Sequence, residues 1–537
     1  MCGIWAFINN KQKYGVTELF DNFMKLKARG PDLSSFQNYS KVLIGFHRLS
    51  IMDLSMVSNQ PYVILNNDKT IVFICNGEIY NYKELIKDYD LPIETKSDCM
   101  TIPQLYLKLG YDNFLELFNN KIKGEYAFIL FEFNDKNELN HIIVGRDSIG
   151  IRPLYWSCPT EVNQDVIFTS EIKGCTFYKD TVTEFTPGTI IKLEFKNNNF
   201  VLPVKSINFT TIYSITNNKI CNEQLLLNQV KNSVINSITR RLDSDQPMAF
   251  LLSGGVDSSL IAALSSKLLN KQIKTFCCGM IGGSDLCFAK QVADHIGSDH
   301  TEVIFTAEEA LNIIDDVIYT IESWDTTTIR ASVGQYIVSK YISQNTDAKV
   351  VFVGEGPDEV CSSYLFNWYA PNPELIHSSA MEYIKNIHYF DIKRGDRCIA
   401  RWGLEARVAL LDTEFIEAYW NIPSYERYPK TRGIEKWWLR KAFDDGQLLP
   451  DTVLWRKKEA FSDGISSINK SWFEIIQDHI KLKFNMTEKE YYKFKFIEYF
   501  GKLRLEIIPH YWQPKWDKNG NTITTYVDPS ARTLDIY

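Results

Sequence analysis

The sequence contains no Cys-x-x-Cys pair, no His-Glu-x-x-His string and no Gly-Lys followed by Ser or Thr. Its 11 cysteines therefore offer no closely spaced redox or zinc pair, and an odd count in a long chain reads as reduced thiols rather than a disulfide framework. His295 and His300 lie near each other without partner ligands, so no zinc site is expected. The single Gly-Lys, Gly501-Lys502, is followed by Leu503, which excludes a Walker phosphate loop. No apolar run reaches the ~18–20 residues that span a bilayer, and the N-terminus lacks a basic stretch ahead of an apolar one. A cytoplasmic protein with no membrane partner is expected. Charge of one sign is also missing as a block: 59 basic against 66 acidic residues leave −7, so nucleic acid is not an expected partner.

What is present is enough for two domains or more, since 537 residues exceed the ~100–200 of one domain. With 45% apolar and 23% charged residues the chain is an ordinary globular one. Up to about residue 200 the text is strand-like, with short β-branched runs such as IIVGRDSIG, DVIFTSEIKG and GTIIKLEF between Gly, Asn and Asp. An Asn-rich polar stretch follows, and residues 201–218 are expected to be a linker between a first domain, 2–200, and a second, 219–537. In the second, NEQLLLNQVKNSVINSITRRL has helical spacing, and strands alternate with helices from PMAFLLSGG to AKVVFVGEG. That alternation predicts a parallel α/β sheet whose ligands bind at the carboxyl ends of its strands. Beyond residue 400 the text is expected to be mostly helical.

The most specific local signal is Ser253-Gly254-Gly255-Val256-Asp257-Ser258-Ser259, set between an apolar strand and a helix. Two glycines let backbone approach an anion, the helix start offers unpaired N–H groups, and the serines add hydroxyls. The string resembles the pyrophosphate loop of ATP pyrophosphatases, in which Asp257 would hold Mg²⁺ on the pyrophosphate. A second loop, Gly354-Glu355-Gly356-Pro357-Asp358-Glu359, follows another buried-strand run. Three carboxylates there repel unless a cation or ligand neutralises them. Asp358 is a candidate second Mg²⁺ ligand, and Glu355 a candidate proton acceptor.

Cys2 stands behind the initiator methionine in MCGIWAF. A cysteine there is more often an inert buried hydrophobe, but removal of Met1 would give it a free α-amine that titrates near ~8, within reach of a local base. Read with RGPD (29–32), GFHRLSIMD (45–53), CNGEIYN (75–81), SDC (97–99) and GEYAF (124–128), the opening becomes specific. The first half resembles the class II, N-terminal-nucleophile glutamine amidotransferases. The whole chain, through WGLEARVALLD (402–412), WRKKEAFSDG (455–464) and DPSARTL (528–534), resembles the glutamine-hydrolysing asparagine synthetase family. The fold this implies is an α+β sandwich of layered antiparallel sheets with helices, followed by an α/β parallel-sheet ATP-pyrophosphatase domain.

The resemblance also implies roles. Cys2 would attack the glutamine amide with its own α-amine as base, and Asn76 with the Gly77 N–H would hold the oxyanion. Arg48 would clamp the substrate carboxylate, Glu78 and Asp98 its ammonium, and Leu49, Ser50, Ile51 and Met52 fall in the same glutamine-contacting stretch. In the second half aspartate and MgATP would give β-aspartyl-AMP and pyrophosphate, and ammonia carried through a protected tunnel would displace AMP. There Glu355 would position or deprotonate ammonia, and Arg394 and Lys458 would face the phosphates. Leu252, Cys278, Val353 and Gly354 align with adenine- and ribose-contacting positions. Substrates are thus aspartate, glutamine and ATP with Mg²⁺, and a homodimer is left open. The family pattern is departed from at Val353, Pro357 and Cys361-Ser362-Ser363, which bear on nucleotide affinity. Three other readings stay open: a β-lactam synthetase, a non-catalytic scaffold, and ammonia-dependent synthesis beside an idle glutaminase.

Overall fold

In the computed structural model, which describes residues 1–66, 68–93, 95–197, 199–214, 222–458, 464–466, 470–508 and 511–528, the strand-like first half forms two antiparallel sheets. One contains β1 (Gly3–Ile8), β2 (Leu33–Tyr39), β3 (Val42–Arg48), β8 (Tyr155–Trp156), β9 (Val166–Thr169) and β10 (Thr183–Glu184). The other contains β4 (Tyr62–Asn66), β5 (Lys69–Ile79), β6 (Gly124–Asn134), β7 (Leu139–Arg146), β11 (Thr189–Lys196), β12 (Asn199–Phe200) and β13 (Lys205–Asn208). The period of two explains the layering. Ile4, Ala6 and Ile8 of β1 pack with Val72, Ile74, Ala127 and Ile129 between the sheets, while Trp5 and Phe7 enter a core on the other face. Phe73, Phe128 and Leu130 point the opposite way from the inter-sheet core, onto Leu85, Ile102 and Phe114 of the helices Tyr82–Tyr89 and Thr101–Asn120.

Part of the expected linker is sheet. β13 pairs with β11, Thr189 against Asn208 and Lys192 against Lys205. Its four residues are all exposed, so no apolar alternation marks it, and backbone pairing alone makes it a strand. Residues 215–221 of that stretch, 459–463 of the WRKKEAFSDG phrase and PSARTL at the end lie outside the described residues.

The second half begins with the helix Glu223–Arg241, capped by the Asn222 side chain. It is followed by a five-stranded parallel sheet of β14 (Met248–Leu251), β15 (Lys274–Gly279), β16 (Asp299–Ile304), β17 (Val350–Phe352) and β18 (Glu405–Arg407). The strand order is β16-β15-β14-β17-β18. It reverses direction between β14 and β17, and a crevice opens at the carboxyl ends of those two strands. Helices such as Thr413–Trp420, Trp472–Phe484 and Glu488–Phe500 dominate after residue 400. No helix among the described residues is long and apolar enough to cross a membrane.

The halves share one core. Trp5, Phe7 and Leu26 belong to the same apolar cluster as Ile318, Ile321 and Trp516. Buried ions cross the seam: Arg29 lies 2.8 Å from Glu171 and 2.7 Å from Asp396, and Arg241 lies 2.8 Å from both Glu125 and Asp412.

Candidate active sites

At the switch point, Ser253 to Ser259 bend from β14 into the helix Val256–Leu269, whose first turn has no side-chain cap. Gly254 sits at φ +71°, and a Cβ there would lie 2.4 Å from Phe288 Cβ. Only glycine fits both the turn and the packing. The Ser253 N–H donates to Ser258 Oγ at 3.1 Å, and the Gly255 N–H to Ser253 Oγ at 3.3 Å. These bonds fix the loop's shape at a helix start, the kind of place where phosphate binds.

Opposite it, the acidic loop after β17 brings Asp358 to the same cleft, which encloses about 1100 Å³. Lys436 bridges the two loops, its Nζ 2.5 Å from Asp257 Oδ2 and 2.5 Å from Asp358 Oδ1, and Lys458 Nζ lies 2.6 Å from Asp358 Oδ2. Burial pushes the Asp358 carboxyl up, but the two ammonium groups outweigh it and hold the group well below the usual range. Asp257 goes the other way, raised by burial against the pull of Lys436. Lys436 itself has φ +58°, strained backbone in a side chain that is 2% exposed. Sequence reading missed it, because GIEKWW carries no phosphate-loop spelling.

Further along the cleft Glu355 accepts from Gln335 Nε2 at 2.9 Å and pairs with Arg394 at 3.3 Å. Burial raises its pKa, with Arg394 opposing. A buried carboxylate with a raised pKa beside a cleft suits proton exchange. Of the expected positions, Leu252, Ser253, Gly255, Asp257, Ser258, Cys278, Gly354, Glu355, Asp358, Arg394 and Lys458 line the cleft. Gly254, Ser259 and Val353 do not; they shape the loops behind it, Val353 through its N–H to Arg407 O at 3.2 Å.

A second cavity of about 400 Å³ lies in the first half. Cys2, Arg48, Leu49, Ile51, Met52, Gly77, Glu78 and Asp98 line it, with Cys75, Cys99 and Glu405 that sequence reading did not single out. β1 delivers Cys2, β3 ends in Arg48, and β5 carries Gly77 and Glu78. Ser50 and Asn76 are not on the cavity wall. The Ser50 carbonyl accepts from Gln246 at 3.0 Å, while Asn76 is fully buried with neither amide atom partnered. A Cβ at Gly77 would stand 2.3 Å from Glu125 O, so glycine is required for β5 to approach β6.

Charge in this cavity is tuned by burial. It pushes the Cys2 thiol up to about 11, although the neighbouring Met1 amine draws it down, and it lowers that Met1 α-amine to about 6. Near pH 7 the Met1 amine is then a free base and the Cys2 thiol is protonated. Asp98 is raised to about 6 by burial even though Ile79 N–H donates to it at 2.6 Å, and Glu78 is raised further. The Arg48 guanidinium is held by loop carbonyls of Ser55, at 2.9 Å, and Asp53 and by Asn59 Oδ1. It is thereby oriented at the cavity wall. The two cavities are chemically distinct: a small pocket that bears the Cys2 thiol, and a larger cleft lined by both carboxylates and cationic side chains.

Comparisons with known proteins agree with this division. A model of a glutamine amidotransferase domain matches residues 1–223, and one of asparagine synthase matches 229–381 and 369–503. Glutamine-hydrolysing asparagine synthetases from Homo sapiens and Gallus gallus are each 36% identical, and that of Bos taurus 37%. In each case the alignment covers 100% of this chain and 99% of the relative.

Proposed function

From the premise that this chain belongs to the glutamine-hydrolysing asparagine synthetase family, we propose that it makes asparagine from aspartate, ATP and glutamine through two linked sites. The observation that carries this reading is the pairing in one molecule of a Cys2 pocket lined by Arg48, Glu78 and Asp98 and an Asp257–Asp358 cleft at the sheet's switch point. In the first site Cys2 attacks the glutamine amide, with Met1 removed and the α-amine taking the thiol proton. The Gly77 N–H stabilises the oxyanion, and the unpartnered Asn76 amide, buried behind the cavity wall, joins it once its side chain turns toward the pocket. Arg48 receives the substrate carboxylate, and Glu78 and Asp98 its ammonium.

In the second site the serine-rich loop cradles the ATP phosphates and the aspartate carboxylate attacks the α-phosphorus, giving β-aspartyl-AMP and pyrophosphate. Ammonia, guided by Glu355, then displaces AMP. Lys436, Lys458 and Arg394 place fixed positive charge against the phosphates. Asp257 and Asp358 would hold Mg²⁺, since Asp257 Oδ1 is buried without a partner and two hard carboxylates face one cleft. Bound there, the ion would neutralise pyrophosphate charge. A cytoplasmic setting and a homodimer are part of the same proposal; all ten described cysteines are free thiols, which supports a reducing compartment.

The test is intact mass together with an assay of asparagine, AMP and pyrophosphate from aspartate and MgATP, fed glutamine or ammonium. We expect loss of Met1, and a Cys2→Ala protein that loses glutamine-dependent synthesis by about 10³-fold or more while keeping the ammonium-dependent reaction. Absence of AMP and asparagine with both nitrogen sources would sink the reading.

A further inference from the structure

One residue of the synthetase half touches both sites. β18 runs parallel to β17 with Phe352 opposite Arg407, and the Val353 N–H donates to the Arg407 carbonyl at 3.2 Å, at the start of the loop that bears Glu355. The Arg407 side chain reaches the other site. It is fully buried; Nη1 donates to the carbonyls of Arg241 and, at 2.6 Å, Asp243, and Nε lies 3.1 Å from Glu405. Nη2 makes no hydrogen bond and lies 3.5 Å from Glu78 Oε2. Glu78, Asp98 and Glu405 line the Cys2 cavity and Arg407 does not, so the guanidinium stands behind the wall they form.

We propose that Arg407 is a positioning residue for glutamine: it holds the Glu78 carboxylate in place and favours its ionised form, so that Glu78 and Asp98 can receive the substrate's α-ammonium. This deepens the two-site reading above and rests on it. Three carboxylates around one small cavity repel one another, and burial favours their neutral forms. A neutral carboxyl cannot make the charge-assisted pair that an ammonium offers. Burial is the largest influence on Glu78 and raises its pKa; Asp98 and Glu405 push the same way, while Arg407 and Arg152 oppose them. Burial also raises Asp98, to about 6, with Glu405 adding to it and the N–H groups of Ile79 and Cys99 and the Arg407 charge opposing. Arg407 thus works against burial at both carboxylates. Glu405, in contact with the guanidinium, offsets its positive charge, so an incoming ammonium meets the negative charge of Glu78 and Asp98. Because β18 belongs to the synthetase sheet, the glutamine pocket of the first half is completed by a residue of the second.

Full-length Arg407→Gln and Arg407→Lys proteins test this. Glutamate release from glutamine is measured between about pH 6 and 9, with inhibition by glutaramate, which is glutamine without its α-ammonium, and with ammonium-dependent asparagine formation alongside. The Gln variant should raise KM for glutamine about 10–100-fold while kcat stays within about threefold of wild type and Ki for glutaramate within about twofold. KM for glutamine, which falls as the carboxylates ionise, should fall at higher pH in the Gln variant than in wild type. The Lys variant should recover part of the affinity, since the charge returns without the guanidinium's planar fork. An unchanged KM for glutamine overturns the proposal, and so does a KM and a Ki raised by the same factor, which would mark a cavity that had merely loosened. Should the Gln variant fail to fold, seen as loss of the ammonium reaction, the ratio of glutamine KM to glutaramate Ki in the Lys variant decides in the same way. A wild-type protein that releases no glutamate would instead overturn the two-site reading.

Discussion

Single residues set the chemistry, and two of them show how. Lys436 holds Asp257 and Asp358 together across the cleft. Its replacement by Met leaves two half-buried carboxylates facing each other without the cation between them. We expect Lys436→Met to lower ammonium-dependent synthesis by about 10²–10³-fold while glutamate release from glutamine persists, read in parallel assays. Asp98 gives a pH dependence with a definite sign. Its folded pKa, raised by burial to about 6, lies above the ordinary ~3.9. The stability it contributes is present below that ordinary value and is lost as pH rises through about 6. Glutamine's ammonium prefers the ionised form, so binding should strengthen over the same window. Titrating the Cys2→Ala protein with glutamine should give a larger upward shift in melting temperature at pH 8 than at pH 5. Asp98→Asn should erase that difference and weaken binding about 10–100-fold.

At the scale of elements, the turn from β14 into the helix Val256–Leu269 decides whether a phosphate site exists. Gly254 combines a positive φ with a 2.6 Å approach to Ala289 N from where a Cβ would be, so the neighbouring backbone would have to move. Gly254→Ala should therefore raise KM for ATP at least about tenfold and leave glutaminase activity intact, since the neighbours it would push, Phe288 and Ala289, belong to the second half. β13 teaches the complementary lesson. Lys205 to Asn208 carry no buried face, so nothing in their side chains announces a strand, yet backbone pairing with β11 places them in the sheet. Glycine-rich loops were legible because their chemistry is local; polar edge strands were not, because their partner is distant in sequence.

For the molecule as a whole, stability and function meet at the seam. Arg29, Glu171 and Asp396 form a buried set in which burial raises the Asp396 carboxyl but Arg29 and Arg397 outweigh it, leaving it lowered to about 2. That stabilisation is present above the ordinary carboxylate pKa and is lost as pH falls through about 2. Asp396→Asn should cost on the order of 3 kcal/mol at neutral pH. In chemical denaturation the gap to wild type should close progressively as pH falls from about 4 to 2.

The sequence by itself determined the two domain classes and spelled the proposed nucleophile Cys2, the serine-rich loop proposed to hold phosphate and the acidic loop, because each is written by neighbours in the chain whose types fit one kind of chemistry. Only the tertiary structure decided that Lys436 would stand between two aspartates 179 and 78 residues away. It also left Asn76 buried behind the pocket with its amide unpartnered. Periodicity and local motifs report which face of an element is buried and what its loops can bind. They carry no record of what packs against that face, and the pKa of a buried group depends on those distant neighbours and on the water they exclude.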